Sequence, residues 1–596
     1  MCFGTPLRGF TLVGHSVKLN SQKNRWRESF KARTMPRHCF EATLSQEEEY
    51  LFCSKIGDLL FMYGRSYRIS PLLMNSIFCI LLVPVSLHAA TYTVKSGGGG
   101  NYTTIQACAT AMAAGDTCQV FAGSYAENVS VSAGTVGNYK TLTVNTGDTV
   151  NVLSFTISSH VKIKGFHIQN PSSPTNAPCV TVSAGGATDY YITNNTMYAC
   201  GTYMIKEDAG SNTTHGYIQG NTLSYSCSTS SAPNTCTAMQ INGDYHLIEN
   251  NDISHVSDGF YVFGKHNILR KNTFHDVSEV DCGSNSGNCH VDFMQADANV
   301  VGGAQPAQYL LIENNTVENL LGSNMHAVGL FQAGACKGQC FNAIVRFHTA
   351  AHVGGGGILD DDTGWINVKS YNNTWADVGN QITSVGNAIN AFTSGSTGGS
   401  DINDIFYFPF TLAGFNPYFT DSTTATTFTA GNNLGFCSGS PCTIFPHTYG
   451  AGSWTSDTGN IQTDPLFANY AANDLNLLPG SPALGTGTYL TTVSSGDSGS
   501  GMSLVVNDAG YFQDGSGLVN GDCIAVTTTL NHVCITAVNY LTKTLTLSSS
   551  ISRSAGDHVW LYSDSAGRQV LRGSGPNMGA AVLTPAPPTN LSVIVQ

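Results

Sequence analysis

The chain has 596 residues, only 11% of them charged, with 64 glycines and an abundance of Asn, Ser and Thr. That profile suits strands and tight turns rather than helices. Residues 1–70 hold 11 of the 26 Lys+Arg, while beyond residue 90 there are 15 basic against 33 acidic side chains, which excludes nucleic acid as a partner and admits an anionic glycan only through a local cationic groove or a bound metal.

In chain order, residues 1–61 read as an upstream extension or start-site artefact. Residues 62–90 have the form of a signal peptide: Arg65 and Arg68 precede the apolar run PLLMNSIFCILLVPVSLHAA (71–90), which ends in small residues and is too short to span a bilayer comfortably. The mature chain is therefore expected to begin near Thr91, to be secreted or held at the cell surface (extracellular or periplasmic), and not to insert into a membrane after cleavage. Fourteen of the 18 cysteines lie after residue 90, in the local pairs 108/118, 179/200, 227/236, 282/289, 336/340, 437/442 and 523/534. Such pairs behind an export signal read as disulfides that pin loops.

Internal repeats follow. YYITNNT (190–196), GYIQGNT (216–222), HLIENND (246–252), NILRKNT (267–273), LLIENNT (310–316) and NVKSYNNT (367–374) share one pattern, and the last Asn recurs at spacings of 26, 30, 21, 43 and 58 residues. The first three spacings fit one coil each, 43 fits a coil with a long loop, and 58 fits two coils with the irregular NAIVRFHT (342–349) between them. A period of that size without helical periodicity predicts an all-β parallel solenoid, whose strands pair about 4.8 Å apart. Asn at the bend tolerates left-handed backbone angles and stacks into a hydrogen-bonded ladder.

Residues 101–128, NYTTIQACATAMAAGDTCQVFAGSYAEN, resemble the opening of secreted bacterial right-handed parallel β-helix proteins of the pectate lyase superfamily. The resemblance implies a capping helix at about Ile105–Ala113, stapled to the first strand by Cys108–Cys118. DPLFANYAANDLNLLPGSPALGTG (464–487) and GPNMGAA (575–581) resemble the closing segment of such proteins. The expected organisation is therefore a β-helix over 91–487, a small antiparallel β-module inserted over 488–574 that folds by itself, a closing β-helix segment over 575–585, and a linker-like tail over 586–596. The family hosts lyases, hydrolases and adhesins, so the resemblance specifies fold more than activity.

Reactive residues recur before the bends of four coils: SDGFYVFGKHN (257–267), CHVDFMQAD (289–297), NMHAVGLFQ (324–332) and GGILDDDTGW (356–365). Strand alternation puts His290 and Asp292 on one face and Val291, Phe293 and Gln295 on the other. With Lys265 and His326 they form the candidate catalytic group. Asp258, Asp360, Asp361 and Asp362 offer the hard oxygens that Ca²⁺ prefers. His266, Tyr261, Trp365 and Gln295 are candidate polysaccharide contacts, the aromatic rings by stacking. Two chemistries fit. A lyase on uronic-acid-containing glycan, the leading reading, needs the uronate neutralised and a base such as Lys265 or His290; a glycoside hydrolase needs two carboxylates, such as Asp292 with Asp258 or Asp361. The scarcity of basic residues keeps a non-catalytic, monomeric glycan-binding or adhesive protein in view, and each candidate also has a plain structural reading as turn or core.

Overall fold

The sequence repeats are rungs of three parallel sheets. The computed structural model describes residues 89–169, 177–183, 185–208, 213–226, 236–278, 281, 289–297, 305–320, 325–326, 331–336, 338–360, 365–379, 388–392, 397–409, 416–420, 427–438 and 458–580. Face I stacks Thr188–Thr193, Thr214–Gln219, Leu247–Glu249, Ile268–Arg270, Leu311–Glu313, Phe341–Arg346 and Ile366–Tyr371 in register. Face II stacks Thr196–Tyr198, Thr222–Ser224, Asp252–Ser254, Thr273–Val277, Thr316–Leu320, Thr349–Val353 and Thr374–Val378. Face III stacks Tyr203–Glu207, Thr237–Ile241, Asp258–Val262, Asp292–Asp297, Phe331–Ala335, Ile358–Asp360 and Ala388–Phe392. The chain visits the faces in turn and returns one strand higher, which makes a right-handed parallel β-helix. Its interior is layered: Ile192, Ile218, Ile248, Leu269, Ile312 and Val345 lie over one another, all fully buried.

The expected Asn ladder is present, but its two tasks fall to consecutive residues. Asn194, Asn250, Lys271, Asn314, Phe347 and Asn372 take the left-handed conformation at the corner between faces I and II. The next residue is the ladder. Backbone N–H groups of Asn195, Asn221, Asn251 and Asn272 donate to the side-chain oxygen of Asn221, Asn251, Asn272 and Asn315 in turn, at 2.9–3.0 Å. His348 and Asp404 continue it in place of Asn. These bonds satisfy buried backbone donors where the chain turns and sheet pairing stops.

At the N-terminal end the helix Ile105–Ala111 is capped by Thr104, whose hydroxyl accepts from the Ala107 N–H. The Glu127 carboxylate accepts from the N–H groups of Ile105 and Gln106 at the same helix end, where an acid is favoured. The helix buries Ile105, Cys108 and Ala109 against the solenoid end, and Cys108–Cys118 joins it to the strand Thr117–Val120. Cys179–Cys200, Cys336–Cys340 and Cys523–Cys534 are also bonded, and Cys236 and Cys437 are in disulfides. Cys227, Cys282, Cys442, the apolar run through 88 and the tail from 581 lie outside the described residues. Among the described residues no helix is long and apolar enough to cross a membrane.

The module forms a six-stranded antiparallel sheet between Thr491 and Ser563. The segments flanking it meet again: the Gly487 N–H donates to the Pro576 carbonyl, and the Met578 N–H to that of Ala483. The module's core extends onto the solenoid. Leu247, Ile268, Leu311 and Ile344, in register on face I, belong to the same buried cluster as Leu504, Phe512, Ile524, Leu545 and Val559 of the module. Beside that apolar seam the Arg346 guanidinium, fully buried, bonds the Glu313 carboxylate, both oxygens of Asp522 and the Tyr371 hydroxyl at 2.7–2.9 Å. The module's apolar cluster is thus continuous with the outer surface of face I, although most of its buried side chains are the module's own.

Candidate active site

On face III the rows across the coils carry the polar groups. Tyr203, Thr237, Asp258 and Asp292 are successive partners in the register. Three residues on, Lys206, Gln240, Tyr261, Gln295 and Gln332 form a second row. Between the rows the pairing skips Met204, Ala238, Gly259 and Phe293. Both Phe293 and its neighbour Met294 lie fully buried in the main core. Of the two rows, Thr237, Asp258 and Asp292 are buried, whereas Lys206, Tyr261 and Gln295 are half-buried. Strict alternation expects Gln295 beside Phe293; instead Gln295 is half-buried while Phe293 is core.

Asp258 and Asp292 are both buried, at 5% and 0% exposure. The Asp292 N–H donates to Asp258 Oδ1 at 3.3 Å, and the Thr237 hydroxyl lies 3.5 Å from Asp258 Oδ2. Burial, with the Asp258 charge adding to it, raises the Tyr203 phenol above its ordinary value, so the phenol stays protonated at neutral pH. Neighbouring parallel strands lie about 4.8 Å apart, so the two Asp residues are adjacent rungs. Two carboxyls, a phenol held as a donor and a row of amide, hydroxyl and ammonium groups are what acid–base work on a sugar chain requires.

His290 and His326 pair in register, with Cys289 opposite Met325. The structure thus brings two of the expected catalytic residues onto adjoining strands, His290 being two residues before Asp292. Asp360 is set apart. The register places it opposite Phe392, at the far end of its strand and three strands on from Asp258, roughly 14 Å away at the usual strand spacing. A single calcium ion bound at about 2.3–2.6 Å therefore cannot be shared by Asp258 and Asp360. Asp361 and Asp362 lie outside the described residues. Among the described residues no cluster of three or more His, Cys, Asp or Glu side chains is placed to hold a metal.

Lys265 and His266 are not brought to this group. Lys265 donates its N–H to Asp244 at the corner leading to face I. His266 stacks between Tyr245 and Tyr309, with ring centroids 4.8 and 4.9 Å apart, and its Nδ1 lies 3.1 Å from Ser516 Oγ of the module. Trp365, expected to stack on sugar, is fully buried in the main core and presents no ring face to solvent. Tyr261 is half-buried on face III, its ring edge-on to Phe263. Sequence reasoning missed Tyr203, Lys206, Thr237 and Gln240. The signal for Gln240 was legible, since Met-Gln at 239–240 returns at 294–295.

The strand register defines a class, the right-handed parallel β-helix. No protein-family model matches the chain, and no curated protein matches it. Solved structures similar to it include the complex of XylC with xylose (10% identity, covering 83% of this chain and 98% of that one, TM-score 0.36). Others are a mutant of the PL6 family alginate lyase AlyGC (13% identity, 65% and 55% covered, TM-score 0.41) and the GH136 lacto-N-biosidase from Eubacterium ramulus (10% identity, 63% and 68% covered, TM-score 0.35). These likenesses are low, and the fold assignment rests on the strand register itself.

Proposed function

We propose that the chain is an exported polysaccharide-active enzyme that cuts a glycan laid across face III, with Asp258 and Asp292 as its acid–base pair. The observation that carries this reading is the register that makes the two carboxyls adjacent rungs, with Thr237 and then Tyr203 on the two rungs before them. One carboxyl protonates the glycosidic oxygen, and the other activates water or attacks the sugar carbon. Lys206, Gln240, Tyr261 and Gln295, one per coil, hold the chain by hydrogen bonds.

A second reading, β-elimination on a uronic-acid-containing glycan, is favoured by Lys206 at the head of that row and by Tyr203 three residues before it. Lys206, or a Ca²⁺ if one is bound, would neutralise the uronate; the Asp258 carboxylate takes the proton α to it, and the Tyr203 phenol donates a proton to the leaving oxygen as the C–O bond breaks. Product analysis separates the two. Incubation with neutral and uronate polysaccharides is expected to generate reducing ends without the ultraviolet absorbance of unsaturated ends. Absorbing ends that disappear on chelation would assign a calcium-assisted lyase, and glycan binding without either product would assign a non-catalytic binding protein.

A further inference from the structure

A cavity lies where the module meets the solenoid, away from face III. Its volume is about 370 Å³, at the lower end of the range for small-ligand pockets (about 300–1,000 Å³). Ile268, Leu311 and Ile344, consecutive rungs on face I, give it an apolar side. Tyr309 from the solenoid and Tyr540 from the module line it with rings 5.4 Å apart and tilted by 33°. The polar lining is fixed in place. Asp514 accepts from the N–H groups of Ser516 and Val538 at 3.0 and 3.1 Å, and His266 meets Ser516 through Nδ1.

Apolar side chains and aromatic rings suit the C–H face of a pyranose, while a carboxylate and an imidazole at the edge suit its hydroxyls. The charge narrows the choice. Burial pushes His266 below its ordinary value, so it is neutral at pH 7, and the carboxylates of Asp514 and Asp244 are the charged groups acting on it besides Lys265. A uronate would meet a net negative lining.

We infer that this cleft binds a neutral sugar residue of the glycan, as an anchoring site separate from face III. The two sites share no residue, so one can fail without the other.

The test uses the full chain carrying Asp292→Asn, so that no turnover intervenes. Saturation-transfer NMR and calorimetry are run with the methyl glycosides of glucose, galactose, mannose and xylose, and with methyl galacturonide. Transfer to at least one neutral glycoside is expected, with the uronide weaker by about fivefold or more. Asp514→Asn should close most of that gap. Leu541 is 93% exposed and lines the cleft, so Leu541→Trp should obstruct the cleft and abolish the neutral signal without moving the thermal melt. Absence of transfer to all four neutral glycosides, or transfer unchanged by Leu541→Trp, would overturn the inference. Failure of cleavage at face III has no bearing on either outcome.

Discussion

His348 shows how one side chain can stand in for another when the hydrogen-bond geometry is kept. Its Nδ1 accepts from the Asn315 N–H at 3.2 Å, and its Nε2 lies 2.9 Å from the Ile312 carbonyl. Asn373 does the same with an amide, accepting from the His348 N–H and donating to the Val345 carbonyl. Only a neutral imidazole with its proton on Nε2 fits, and burial accordingly pushes His348 down to about 3. Because the folded value lies below the unfolded one, the stability linked to this group is full above about pH 6.5 and drains away as the pH falls towards 3. The buried Asp401 and Asp404 carboxyls act in the opposite sense. Burial raises both, Asp404 to about 6, so their share is present below the ordinary carboxylate range; that of Asp404 is lost as the pH rises through 6, and that of Asp401 is likewise lost above its ordinary range. His348→Asn removes the first term and leaves the second. Thermal melts should therefore show the variant gaining on wild type by on the order of 3 kcal/mol between pH 7.5 and pH 4; an equal difference at both values would mean that His348 is not held neutral. This substitution was half legible in the sequence: NAIVRFHT was recognisable as an irregular coil between two regular ones, but that His fills the Asn position depends on a ring tautomer that no spacing reveals.

At the scale of the element, face I changes partner part-way along its length, and the sequence carries the trace. The residue before the buried Ile is Tyr191 and Tyr217 in the early coils, whose rings stack 4.5 Å apart. From Leu247 onward that row is aliphatic at Leu247, Ile268, Leu311 and Ile344, because the module covers it. Two adjacent apolar residues in LIEN, ILRK and LIEN thus serve two cores, which the repeat pattern alone does not distinguish from a wider single core. The candidate site was legible to a similar degree. Asp258, Asp292 and Gln295 could be picked out as recurring polar residues, whereas which of them stand on adjoining rungs appears only in the register. The docking is strengthened by Arg346 between Glu313 and Asp522. Arg346→Met leaves Asp522 buried without its counter-charge and Glu313 with only the Arg270 guanidinium at 4.0 Å, and should cost about 3–5 kcal/mol in a denaturant melt. Adding Asp522→Asn should recover part of that loss; a single variant within about 1 kcal/mol of wild type would show that the guanidinium is not integral to the contact.

At the scale of the molecule, solenoid and module are expected to melt together. Removing residues 488–574 and joining Gly487 to Gly575 exposes the apolar row on face I and strips Arg346 of Asp522. The truncated chain should lose its cooperative melt or associate on a sizing column; a monomer with the wild-type melt would show that the module contributes nothing to the solenoid. The proposed roles of Asp258 and Asp292 are tested most directly by the cleavage rate of Asp258→Asn and Asp292→Asn on whichever polysaccharide the wild-type chain degrades, with each variant's melt recorded alongside. A general acid or base contributes roughly 10²–10⁴-fold, so each variant should fall by at least about a hundredfold while keeping a native melt. A fall of less than about tenfold in either variant, with folding intact, would contradict the account.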